Sequence, residues 1–305
     1  MSGSWVGADV RAIAMSRRVV GRAGAASIAA CSDLRTALAE LERSPYARDI
    51  QPSHDLASAQ RAVASTLLWN VRVIAGWVPA SGVGILRVAM AWFEILNIEA
   101  RLRSAVAGQV VRPFDLGGLA TVRGDGESAT AGEVLTRLRA TWWGSPEQDS
   151  VRAIGLSMRS KLVDRASSGV PGARTWAAGA AALIVAREQV VAGNQLPSDV
   201  RRNLAHVLGE AALEADSLDA LATCLPSRAR WVFNGVTSNE DMWRAESGWW
   251  ARVETDGHEL LRRSTFGPEP VVGAVAVMAS DAWRLRAALH AAALGGAVGA
   301  FDAVA

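Results

Sequence analysis

Lysine is almost missing from this chain of 305 residues: among 32 basic side chains Lys161 is the single lysine, and the rest are arginine. Such a skew fits GC-rich coding better than selection for a phosphate grip. Neither sign of charge dominates, since 30 acidic residues leave a formal net charge of +2. The basic stripe expected of a nucleic-acid binder is therefore absent, and nucleic acid is not an expected partner. Cysteine is equally scarce. Cys31 and Cys224 lie far apart, make no metal-ligand spacing, and read as plain buried thiols of a reducing compartment. Ser4, Asp9 and Arg11 precede any long apolar run, so no secretory signal is expected.

Long hydrophobic runs are also missing, although half the residues are hydrophobic. A membrane-spanning helix needs about 20 apolar residues. The uncharged stretch from Thr175 to Ala186 is closed off by Arg174 and Arg187. The stretch after Arg72 is broken by Pro79, Gly82 and Gly84, and Ala287 to Phe301 contains His290 and Gly295-Gly296. No transmembrane segment is expected.

Catalytic motifs fail in the same way. His54, His206, His258 and His290 are scattered, and HExxH, a Walker A loop, a GxSxG elbow and a dinucleotide fingerprint are all absent. Gly117-Gly118 has no following Lys and Ser or Thr. No metal, cofactor or catalytic residue is expected.

What is present is helical. Ser32-Asp33 caps a segment whose Leu34, Leu38 and Leu41 recur once per turn, ending before Pro45. Glu133 to Arg139 and Ser217 to Leu225 read alike, with Ser217 as cap and Pro226 as stop. Longer helices are expected over 60–77, 84–107, 174–192, 198–215, 239–263 and 271–293, with connections at 117–126, 169–172 and 266–270. Val271 to Met278 alone could pass for a buried strand, but it runs on into a charged helical pattern. Short capped helices begin at Asp33, Glu133 and Ser217, and each is followed by a long helix of similar character, near Ala91, Thr175 and Val275. The repeat is roughly 90–100 residues, too long for the common solenoids. It divides the chain into 1–115, 116–200 and 201–305, three similar helical bundles.

Two sets of residues stand out. Glu94, Asn97 and Arg101 follow one another at helical offsets, and Asp281 and Arg284 lie on another apolar helix. Pairing within the fold, with arginine or asparagine nearby, is the expected role of the two carboxylates. Glu94 as an acid or base is the alternative. Twelve tryptophans include the pairs Trp142-Trp143 and Trp249-Trp250. Core packing with some interface anchoring is the first reading, and an aromatic ligand pocket the second.

The order of these features resembles the family of C-type coupling subunits of prokaryotic V/A-type ATPases, to which the d-type subunits of vacuolar ATPases also belong. The resemblance is carried by Val10-Arg11-Ala12-Ile13, by Asp33-Leu34 through Ser44-Pro45-Tyr46 with the single tyrosine, and by Trp92-Phe93-Glu94-Ile95-Leu96-Asn97 running on to Arg101-Leu102-Arg103. Leu116-Gly117-Gly118-Leu119 and then Pro270, Asp281, Arg284 and Arg286 complete it. It implies three helical lobes around a pseudo-threefold axis, forming a funnel. One face would receive central-shaft subunits of a rotary ATPase, and the other would sit on the membrane proteolipid ring. It further implies a non-catalytic part, one copy per hetero-oligomeric complex. That part would lie peripherally on the cytoplasmic side of the membrane, or in the cytoplasm when free. The competing expectation is a soluble helical enzyme or ligand-binding protein with a Trp-lined pocket.

Overall fold

The computed structural model describes residues 4–107, 112–122, 130–263, 266–296 and 301, and among them no β-strand occurs. The helices are α1 (Val6–Ser16), α2 (Gly21–Ala29), α3 (Leu34–Leu41), α4 (Leu56–Ala75), α5 (Ala80–Ala89), α6 (Ala91–Ala107) and α7 (Ala131–Arg139). They continue with α8 (Val151–Gly169), α9 (Arg174–Val185), α10 (Ser198–Leu208), α11 (Leu218–Cys224), α12 (Ser227–Arg230), α13 (Met242–Leu261) and α14 (Pro268–Ala293). The all-helical expectation holds, and Val271 to Met278 is helix.

Local caps explain most starts. Asp33 accepts from Thr36 N, Asp55 from Ser58 N, Ser150 from Ala153 N and Ser217 from Ala220 N, and Thr130 with Glu133 forms a capping box. Pro268 begins α14 rather than lying in a connection, because proline suits the first helical position, where no N–H is needed.

Contacts group the residues into two units: Met1–Gly82 with Trp250–Ala305, and Val83–Trp249. The chain leaves the first unit within α5 and returns within α13. These boundaries differ from the expected 115/116 and 200/201. The expected division follows repeats along the chain, whereas the first unit gathers both ends of it.

In the first unit α14 is the axis, packed by α1, α2, α3 and α4. It is buried almost all round, and half of its residues are alanine or valine. Two glycines set how closely α13 approaches it. A Cβ on Gly273 would lie 2.6 Å from the Gly257 carbonyl oxygen and 3.0 Å from Leu261 N. Backbone atoms cannot swing aside, so Gly273→Ala should lower stability by about 1–3 kcal/mol in a urea melt. A wild-type midpoint would mean that this contact is looser than described.

In the second unit α8 packs against α6, α9 and α10. The sequence pattern gives no sign of α8, since Gly155, Ser157 and Ser160 occupy buried positions where leucines would reveal a period. Other expected helices are divided. The 84–107 segment bends by 52° between α5 and α6, where Phe93 N–H closes on the Met90 carbonyl only three residues back. The 174–192 segment turns π-helical over Ala186–Val191. Gly209, at φ 89, ends α10 before a short 3-10 turn over Glu210–Leu213. Of the expected loop at 117–126, Gly117–Leu119 forms a 3-10 turn, and 123–126 lie outside the described residues.

Among the described residues no single helix is long and apolar enough to cross a membrane, while the bent pair α5 and α6 passes by length and composition alone.

Candidate functional site

Glu94 and Asn97 lie one turn apart on α6, both buried. Their partners are not the arginine or asparagine expected for Glu94. Its Oε1 accepts from Thr121 N (2.7 Å) and Val122 N (2.6 Å), and its Oε2 from Trp143 Nε1 (2.7 Å). Asn97 grips Phe114 twice, donating to its carbonyl at 2.8 Å and accepting from its N–H at 2.7 Å. A connection after α6 has backbone groups that no strand or helix satisfies, and two side chains of α6 supply them. Arg101 sits half-buried one turn further along.

Asp281 and Arg284 form a separate group in the other unit. Asp281 accepts from Val20 N (3.1 Å), Gly21 N (2.7 Å) and the Tyr46 hydroxyl (3.0 Å). Helix α2 has no side-chain cap and no acid in its own first turn, so a carboxylate distant in sequence takes that role at its positive end. Asp9 of α1 does the same for α14, accepting from Gly267 N at 2.9 Å. Burial pushes the Asp281 and Asp9 carboxyls above the usual aspartate value. Burial, and then the neighbouring Asp281 charge, push the Tyr46 phenol well up. Arg284, almost wholly buried, donates to Glu254 rather than to Asp281.

The tryptophans are tied inward. Trp142 and Trp143 stack at 3.9 Å, Trp143 is buried, and Trp142 Nε1 donates to Thr121 Oγ1. Trp249 donates to the Trp176 carbonyl and, with Trp231, lies against Gly179, where a Cβ would touch both rings. Trp250 stacks on Trp283 at 5.5 Å. The more exposed tryptophans are Trp69, Trp77 and Trp243.

The cysteines are free, but not buried as expected: Cys224 is exposed and Cys31 half-buried. Cys224 closes α11, whose core contacts come from Leu221 and the following Leu225. Among the described residues no group of three or more His, Cys, Asp or Glu is placed to hold a metal ion.

Sequence reasoning did not single out a cleft of about 650 Å³ in the second unit. Glu99 and Arg103 of α6, Arg152 and Arg159 of α8, Arg187 and Glu188 of the π-helical turn, and Glu246 of α13 line it. Glu99 is buried and takes both Arg103 (3.0 Å) and Arg159 (2.5 Å), while Arg152 pairs with Glu188 and Arg187 with Glu246. Arg152 and Arg159 are seven residues apart and share a helical face, a signal readable only once α8 is known to be a helix. A second cavity, of about 370 Å³, lies in the first unit beside Trp283, Arg286 and His290.

Compared with models of known protein families and with curated protein sequences, the chain has no match.

Proposed function

We propose that this chain is a non-catalytic coupling subunit of a rotary V/A-type ATPase, linking the central shaft to the membrane proteolipid ring. The observation that carries the reading is the bond between Tyr46 and Asp281. These residues belong to an early and the last motif of the resemblance, and the fold joins them at 3.0 Å. Within the second unit, Glu94 and Asn97 of one motif likewise hold the connection that contains the Gly117-Gly118 motif. Residues that carry the resemblance thus act on each other as scaffold. A part that transmits torque needs stiffness and surface fit rather than a reactive group. ATP hydrolysis or synthesis would belong to the partner proteins of the complex. The chain itself would sit at the cytoplasmic face of the membrane.

Affinity purification of the tagged chain from solubilised membranes should recover the shaft proteins and the proteolipid ring, with one copy of this chain per complex. A stable homotrimer with no ATPase partner would sink the proposal and favour the ligand-binding alternative. The proposal carries with it the funnel of three helical repeats, 1–115, 116–200 and 201–305. Small-angle scattering of the isolated chain tests that feature separately: a funnel envelope is expected, and a two-lobed one would remove it.

A further inference from the structure

We propose that the arginine-lined cleft of the second unit binds a small molecule bearing several oxyanion groups, phosphate or carboxylate. This inference is independent of the coupling role. Its size lies within the range of small-molecule sites, roughly 300–1,000 Å³.

The charge balance gives the ligand its sign. Four arginines face three glutamates in the lining. Each guanidinium presents five N–H donors in a rigid fork, whereas each carboxylate offers two oxygens. Glu99 already spends one oxygen on Arg103 and the other on Arg159. Arg103, Arg152, Arg159 and Arg187 keep 64%, 52%, 42% and 57% of their side chains exposed. Each side chain is therefore open to solvent, where donors that the glutamates leave over can exchange water for the oxygens of a ligand. A forked donor pairs two-pronged with phosphate or carboxylate, which a surface ammonium cannot do.

The glutamates have a second role, which is to aim the forks. Paired with carboxylates on α6, the π-helical turn and α13, the arginines are held apart instead of repelling one another. The seat for Glu99 is built into α8. A Cβ on Gly155 would collide with the Glu99 carboxylate and stand 2.7 Å from Arg159 Nη1, so a larger residue there would push that pair out of its present position. The backbone supplies an independent sign. Arg187 and Glu188 lie on the π-helical turn Ala186–Val191, an irregularity frequent at functional sites.

Isothermal titration calorimetry with pyrophosphate, and separately with citrate, at constant ionic strength tests the site. Saturable one-to-one binding of at least one probe is expected, and the one bound more tightly shows whether phosphate or carboxylate is preferred. Arg152→Gln and Arg187→Gln, both changing exposed side chains, should each weaken it about tenfold. Arg35→Gln, an exposed arginine of α3 that does not line the cleft, should bind as wild type does. Circular dichroism confirms that each variant is folded. No saturable heat with either probe would overturn the proposal. So would equal weakening by Arg35→Gln, which would mean general charge attraction.

Discussion

Replacing Asp281 with alanine is expected to lower the unfolding free energy by about 3–5 kcal/mol. The change strands three donors at once: Val20 N–H, Gly21 N–H and the Tyr46 hydroxyl, in a region where Tyr46 and Asp281 are both buried. It also removes the negative group from the N-terminus of α2, which has no cap of its own. Tyr46→Phe removes one bond and leaves the α2 cap in place, so it should cost about 1 kcal/mol. Urea melts of the two variants separate the cap from the hydroxyl. Equal midpoints for wild type and Asp281→Ala would refute the role given to this carboxylate.

The same group predicts a pH dependence whose sign follows from burial. The folded pKa of Asp281 is raised above the ordinary 3.8, so the folded state holds the proton more tightly than the unfolded chain. Its contribution is fully present below the ordinary value and is lost as pH rises through the raised one. Exposed carboxylates such as Asp33, Asp55 and Glu133 are lowered by hydrogen bonds to their helix-start neighbours and act the other way, below their ordinary values. The Asp33 and Asp55 windows therefore lie below that of Asp281, while that of Glu133, which begins at 4.5, runs into it and is removed by taking the difference between wild type and variant. Stability measured for wild type minus that for Asp281→Asn should fall with rising pH just above the ordinary aspartate value. A flat difference would contradict the assignment.

Glu94→Ala is the second large effect, again about 3–5 kcal/mol, because the Thr121 and Val122 amides and the Trp143 indole lose their shared acceptor. Glu94→Gln keeps the oxygen that serves the two amides but turns a donor toward the indole, and should cost about 1–2 kcal/mol. The Trp143 indole N–H resonance, assigned by its loss in Trp143→Phe, reports this bond and should shift in both variants before unfolding begins. An acid or base in a pocket would behave differently, since removing a strained catalytic carboxylate commonly leaves stability unchanged or raised. A wild-type midpoint for Glu94→Ala would therefore revive the enzyme alternative.

Much of the helical fold was legible because its signals are local. Asp33 and Ser217 announce helices with their own side chains, and both do so in the structure. Helix α8 was not legible, since small and polar residues fill its buried face. Nor were the starts of α2 and α14, because Asp281 and Asp9 cap them from remote parts of the chain. Glu94 and Asn97 were recognisable as buried polar residues, but their partners are backbone groups of a connection, which residue types cannot disclose. The cleft was hidden for a related reason. Its arginines come from α6, α8 and the turn after α9, and they resemble surface charges until those elements are packed.

Coupling itself can be measured in membrane vesicles from cells that lack this chain. If the chain joins shaft to ring, such vesicles should lose ATP-driven ion uptake. Adding back the purified protein should restore it, and the Asp281→Ala variant should restore it only as far as it remains folded. Ion uptake unchanged by deletion of the chain would contradict the coupling role.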